Sequence, residues 1–177
     1  YYLPTPMKKY LPVCGAFGFA ALLSLASATT GHAQKAAPAA QARPEVAEQA
    51  EAYSGDKNLL VTIVRVGKRE NKQALVEIVG LDHPWNRYIF KANVTNIASG
   101  HSTAVKNNYE ITVNGGSWNL ATTEDNTLTL NLRENGATGR QQSYRLAFDK
   151  GVADDTKPEY LLTAYLKQGN AKVPTSK

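Results

Sequence analysis

The chain has 177 residues, with 20 Lys and Arg against 15 Asp and Glu, and a formal net charge of +5. With 42% apolar residues and one Cys, this is the composition of one globular domain with short additions, too long for a disulfide-stabilised miniprotein and too short for two full domains. The only segment apolar enough to approach a membrane span lies at residues 13–28.

The N-terminal residues have the pattern of a secretory signal peptide. Two lysines precede an apolar core over residues 13–25, and small residues suited to a peptidase site end at Ala28 or, alternatively, at Ala33. The apolar core is shorter than the roughly 20 residues that a spanning helix needs. We therefore expect residues 1–33 to comprise upstream residues and a cleaved signal peptide, followed by a periplasmic or secreted chain without stable membrane insertion.

Cleavage would change the composition of the mature chain. It would remove the sole cysteine, Cys14, so the mature chain would have no disulfide, thiolate ligand or cysteine nucleophile. It would also remove two of the 20 basic residues and none of the 15 acidic ones, which lowers the net charge from +5 to +3. Such a weak, dispersed positive charge argues against a nucleic-acid partner.

Residues 34–57 are rich in Ala, Gln, Glu and Pro and contain one aromatic residue, Tyr53. A segment of this composition buries too little apolar surface to offset the entropy lost on ordering. We expect a flexible spacer here, with at most a short marginal helix over residues 44–53.

From Asn58 onward the apolar residues recur with a period of two, which is typical of strands. The first segment is apolar on both faces, whereas most of the others alternate an apolar face with a polar one, as antiparallel sheets do. The turn signal Asn114-Gly115-Gly116 separates two of them. The pattern predicts an all-β domain over residues 58–168, an antiparallel β-sandwich or flattened barrel, followed by a disordered tail at residues 169–177. The eight predicted strands lie at about 59–66, 74–78, 87–94, 109–113, 118–120, 127–132, 143–149 and 160–166.

Antiparallel succession of the strands sorts the connecting loops between the two ends of the domain. Loops 80–86, 114–116 and 133–142 should share the first end. The second end should carry loops 67–72, 95–108, 122–126 and 149–159.

The first end collects the candidate binding residues. An indole there could act as a stacking platform, with amide, imidazole and guanidinium groups supplying directional hydrogen bonds to a sugar or to an anionic group on a partner. The alternative is that residues 82–86 form a turn whose tryptophan covers the core, in which case the long loop 95–108 becomes the better candidate; Trp118, at an inward position, is expected in the core. The candidate binding residues are Asp82, His83, Trp85, Asn86, Arg133 and Arg140.

Motifs for catalysis and cofactor binding are absent from the sequence. There is no His-Glu-x-x-His pair, no Gly-x-Ser-x-Gly elbow and no phosphate-binding glycine loop. The acidic residues of the second end lack the spacing of a calcium loop. We expect no metal, no cofactor and no catalytic residue, although a carboxylate pair for glycoside hydrolysis would leave no local pattern.

These observations favour an exported, non-catalytic domain that binds a protein or glycan of the cell envelope through its loops. Two alternatives stay open. One is a glycan-binding module or carbohydrate-active enzyme that uses Trp85 and its polar neighbours, and the other is an exported inhibitor or immunity-type protein.

The signal-peptide prediction is tested by processing in an exporting host. Mature protein should begin at Thr29 or Gln34, because these residues follow the two small-residue sites. Intact-mass measurement of periplasmic or secreted material identifies the new N-terminus. Full-length protein retained in the membrane would contradict the prediction.

Overall fold

The structure is a computed structural model that describes residues 43–98, 105–136, 138–169 and 171–175. The chain divides into two units, Tyr1–Ala40 and Gln41–Lys177, and every described residue belongs to the second. The predicted signal peptide and the first part of the predicted spacer lie outside the described residues. No helix among the described residues is long and apolar enough to cross a membrane.

Eight antiparallel strands form the domain, which confirms the predicted all-β fold class and makes it a barrel. Each strand pairs with the next along the chain, and the last pairs with the first, so the sheet closes on itself. The strands are β1 (Glu51–Ser54), β2 (Leu60–Val66), β3 (Gln73–Val79), β4 (Ile89–Ala98), β5 (Val105–Val113), β6 (Gly116–Glu124), β7 (Thr127–Arg133) and β8 (Gln141–Phe148).

The closing strand β1 lies inside the predicted spacer, so that prediction is wrong for the described residues 43–57. Tyr53 pairs with Val61 of β2 on one side and with Phe148 of β8 on the other. Upstream of β1, Val46 forms an isolated antiparallel bridge with Val66 instead of the suggested helix. The sequence pattern missed this strand because four residues are too few to show an alternation among alanines and glutamates.

The predicted eighth strand, residues 160–166, is helical, so that prediction is also wrong. A short helix α1 (Lys150–Asp155) is followed by α2 (Pro158–Gln168). Pro158 occupies the first turn of α2 and Gly169 its C-terminal cap, and both are sequence signals of a helix. The strand is predicted because the apolar residues of 160–166, which include the adjacent Leu161 and Leu162, fit a mixed strand as well as a helix.

The strand β2 is apolar on both faces because its outward residues join a second hydrophobic cluster, outside the barrel, to which α2 contributes. Inward residues of β2 join the barrel core, while Val64 and Val66 face outward and pack with Leu161 and Leu162 of the helix. Gln168, at the end of α2, also bonds both backbone groups of Ile89 through its side chain, at 2.9 and 3.0 Å. The helix thereby packs on the outer face of β3 and the start of β4, and its leucines share a cluster with Val64 and Val66 of β2.

The predicted tight turn between β5 and β6 is confirmed. Asn114 and Gly115 both adopt positive φ, at 51° and 79°. This is the backbone conformation of the two-residue turn that matches the twist of a β-hairpin.

Replacing Leu162 with alanine tests the packing of α2 against the barrel. Leu162 is fully buried, so we expect Leu162→Ala to lower the free energy of unfolding by about 2–5 kcal/mol. Leu166→Ala is the matched control, because Leu166 lies on the same helix and is 47% exposed. Urea unfolding of both variants measures the difference, and equal effects would show that α2 is not packed as described.

Candidate functional site

One end of the barrel, formed by loops 55–59, 80–88 and 114–115 and the connection after β7, is closed by the side chain of Trp85; we call it the plugged end. Trp85 is only 1% exposed and stacks edge-on against Phe90 of the barrel core, with ring centroids 5.1 Å apart. The interpretation of this indole as an exposed stacking platform is therefore wrong. The alternative interpretation of Trp85 as a cover for the core is the one the structure supports.

The C-terminal segment 171–175 completes the plug, so the prediction of a disordered tail is wrong for these residues. The indole Nε1 of Trp85 donates a hydrogen bond to the carbonyl of Pro174 at 2.9 Å. Tyr88 donates from its hydroxyl to the carbonyl of Ala171 at 2.8 Å, and Val173 packs against the core. These two hydrogen bonds and one apolar contact hold a segment whose composition alone predicts no order.

His83 and Asn86 of the predicted site serve the loop that carries Trp85. The backbone N–H of Trp85 donates to His83 Nδ1 at 3.1 Å, which leaves Nε2 to donate to the carbonyl of Arg133 at 2.7 Å. Asn86 accepts a hydrogen bond from the backbone N–H of Gly80 at 3.0 Å. Both side chains thus stabilise a turn, the role that the alternative interpretation assigned to this loop.

Of the other predicted residues, Arg133 meets Trp85 in the wall of a small cleft. Asp82 and Arg140 are exposed, and among the described residues neither side chain forms a hydrogen bond or ion pair with the rest of the predicted set. Arg133 also lies over the ring of Trp118, with its guanidinium carbon 4.4 Å from the ring centroid. Trp118, expected in the core, is only partly buried and lines the same small cleft of about 160 Å³.

The opposite end of the barrel, which we call the open mouth, has a polar inner surface. The side chains that face the interior are apolar along most of each strand, and the last inward position before this end is polar in five strands. The change occurs within single strands, for example from Ile111 through Tyr109 to Asn107 in β5. These five polar residues are Glu51, Arg65, Asn96, Asn107 and Thr123.

A hydrogen-bonded layer of tyrosines forms the floor of the open mouth. Tyr53 donates to the carboxylate of Glu51 at 3.0 Å. Arg65 donates to the hydroxyl of Tyr109 at 3.3 Å, and its guanidinium carbon lies 5.3 Å from the centroid of the same ring. Both tyrosine rings are buried, so they separate the polar mouth from the apolar interior below.

Two clefts of about 570 and 360 Å³ open at this end and share Glu51, Val105 and Asn107 in their walls. The larger cleft is bounded by the N-terminal segment 45–47 and by the β2–β3 loop. The segment is held there because Ala47 donates to the carbonyl of Arg65 at 2.9 Å and Gly67 donates to that of Glu45 at 2.7 Å. The walls of the cleft are thus formed by strands and by segments that hydrogen-bond to them.

The sequence placed this end among the candidates only through loop 95–108. Most of that predicted loop is strand, because β4 extends to Ala98 and β5 begins at Val105; residues 99–104 lie outside the described residues. The two ends of the barrel carry the loops that antiparallel succession predicted. The missed signal is the polar residue that ends an apolar alternation, as Asn96 does after Phe90, Ala92 and Val94.

Burial controls the protonation of the floor of the open mouth. Burial, together with the nearby carboxylate of Glu51, raises the pKa of Tyr53 well above its usual range. Burial raises the pKa of Tyr109 as well, and Glu51 adds to the effect while Arg65 opposes it. Both hydroxyls therefore stay neutral near pH 7 and can donate or accept hydrogen bonds.

The described residues hold no group of three or more His, Cys, Asp or Glu side chains that could bind a metal ion. The inward-facing side chains of the open mouth offer hydrogen bonding and charge, from one guanidinium, one carboxylate, two amides and three hydroxyls. Comparison of the chain with protein-family models, with curated proteins and with solved structures finds no match. Its function is therefore inferred from geometry.

The raised tyrosine pKa values predict a loss of stability in alkaline solution. Because the folded state holds these two phenolic protons more tightly than the unfolded state, the free energy of unfolding should fall as the pH rises above about 10. Urea unfolding at pH 9 and pH 11 should show a smaller fall for Tyr53→Phe than for the unmodified protein. Tyr160→Phe is the control, since that ring is 69% exposed; a fall in Tyr53→Phe as large as in the control would contradict the interpretation.

Proposed function

We propose that this protein is an exported, non-catalytic binding protein that takes a small envelope component into the open mouth of its barrel. The observation that carries the proposal is the polar inner surface of the mouth above a filled apolar interior. An eight-stranded barrel is just wide enough for side chains to fill it or for one small ligand to enter. Mouths of β-barrels are among the preferred places for such ligands.

The difference between the two ends supports this choice. At the plugged end, Trp85 and the segment 171–175 cover the interior. At the open mouth, Arg65 and Asn107 face inward but stay partly accessible, and they line about 570 Å³ of cleft. Polar side chains at inward positions cost stability unless they have partners, so their collection at one end favours a role in binding.

Recognition of a glycan or a partner protein at the plugged end is the second candidate function. It is favoured by Trp118, which lines the small cleft beside Arg133. We place it second because the cleft is about 160 Å³ and the guanidinium already covers one face of the indole. The inhibitor interpretation stays a prediction from the sequence, with no observation of this kind behind it.

Blocking the open mouth tests the proposed function. Val105 is 62% exposed and lies two residues before Asn107, so Val105→Trp should fill the mouth without disturbing the core. Ile97 pairs with Lys106, which puts it on the outer face of the same hairpin, and Ile97→Trp is the matched control. The ¹⁵N-labelled protein is screened by NMR against small carboxylates, phosphates, saccharides and uncharged aromatic compounds.

We expect at least one class of compound to shift the backbone signals of Arg65, Asn107 and Thr123. Binding should weaken at least tenfold in Val105→Trp and stay within twofold in Ile97→Trp. Shifts confined to His83, Trp118 and Arg133 would favour the second candidate instead. A panel that leaves the mouth signals unchanged would contradict the proposed function.

A further inference from the structure

The charges around the open mouth are unevenly distributed. Arg65 projects from the inner face of β2, and the β2–β3 loop that follows it adds Lys68, Arg69 and Lys72 to the wall of the larger cleft. The same wall contains two carboxylates, those of Glu45 and Glu51. Four cations against two anions leave this side of the mouth with an excess of positive charge.

Arg65 has spare capacity to bind an anion. A guanidinium offers five N–H donors, and the described contacts of Arg65 use one of them, to the neutral hydroxyl of Tyr109. Within the part of the chain that the structure describes, no carboxylate forms an ion pair with Arg65, and Glu51 receives its hydrogen bond from Tyr53. The tyrosine ring beneath the guanidinium holds it in place, so less side-chain entropy is lost when a ligand binds.

The opposite side of the mouth carries two exposed apolar side chains among polar ones, which include Asp125. Val105 and Phe148 are large exposed apolar side chains that line its walls, with exposed fractions of 62% and 39%. Phe148 rests edge-on against Tyr53, with ring centroids 5.7 Å apart. A ligand that spans the mouth would meet cations on one side and, on the other, the ring of Phe148 and the methyl groups of Val105 beside polar side chains.

We infer that the open mouth binds a small amphipathic anion, with its carboxylate, sulfonate or phosphate against Arg65 and the β2–β3 loop and its apolar body against Val105 and Phe148. This inference rests on the proposed function and adds the chemical class of the ligand. Guanidinium groups bind such anions through charge-assisted hydrogen bonds, which are stronger than neutral ones. Burial of the apolar body against Val105 and Phe148 adds to the binding free energy.

Two fluorescent probes that differ in charge test the inference. The anionic probe is 1-anilinonaphthalene-8-sulfonate, and N-phenyl-1-naphthylamine has the same rings without the sulfonate. The full chain should bind the anionic probe at least tenfold more tightly than the neutral one, and added salt should weaken only the anionic probe because it screens the partly exposed charges.

Substitutions of Arg65 and of the β2–β3 loop test where the anionic group of the probe binds. Arg65→Gln should weaken the anionic probe about tenfold or more, while the neutral probe changes less than twofold. Arg145→Gln removes an exposed arginine from another strand and should leave both probes unchanged. Lys68→Gln with Arg69→Gln, both in an exposed loop, should weaken the anionic probe severalfold and serves if Arg65→Gln does not fold.

The outcomes separate this inference from the proposed function. Equal affinity for both probes, with no effect of Arg65→Gln or of the loop variant, overturns the anion class and leaves binding at the mouth intact. Anionic-probe binding that persists unchanged in Val105→Trp is binding elsewhere on the surface and overturns the inference. Failure of both probes, together with unchanged mouth signals in the NMR screen, overturns both.

Discussion

The pairing of β1 with both β2 and β8 is the interaction on which the rest of the structure depends. Tyr53 and Ser54 are the two residues of β1 that bond to β8, and Asp149 adds one more backbone hydrogen bond, to Ala52 at 2.8 Å. Without this short seam, β2 and β8 would be edge strands with unpaired backbone groups. The pairing of β1 also places Glu51 and Tyr53 in the open mouth. The residue that forms its last hydrogen bond, Asp149, is also the N-cap of α1.

The closed barrel has an interior and two ends, and the two ends differ in the side chains that cover the interior. The interior is filled by side chains from all strands, and the plugged end continues this core outward through Trp85 and Val173. At the open mouth the core stops at Tyr53 and Tyr109, whose rings are apolar toward the interior and whose hydroxyls face polar partners. Tyrosine suits this boundary because its body is apolar and its tip forms hydrogen bonds.

The polar layer above the tyrosines is difficult to explain by stability alone. Replacing Arg65, Asn107 and Thr123 with apolar residues would extend the core, and buried polar networks are often no more stable than well-packed apolar ones. Natural sequences break the local rule of an apolar interior mostly at functional sites. The polar layer, the cations of the β2–β3 loop and the exposed Val105 and Phe148 together favour the open mouth over the loops around Trp85 as the place where a ligand binds.

The sequence by itself determined the strand-forming segments β2 to β8, the Asn114-Gly115 turn and the sorting of the loops between two ends. These features depend on alternation, turn chemistry and antiparallel succession, which are local or follow from chain order. Only the tertiary structure decided that β1 closes the barrel, that residues 158–168 form a helix packed on β3 and β4, and that Trp85 is a plug. The physical reason is that each depends on contacts between residues far apart in the chain: Tyr53 with Phe148, Ile89 with Gln168, and Trp85 with Pro174.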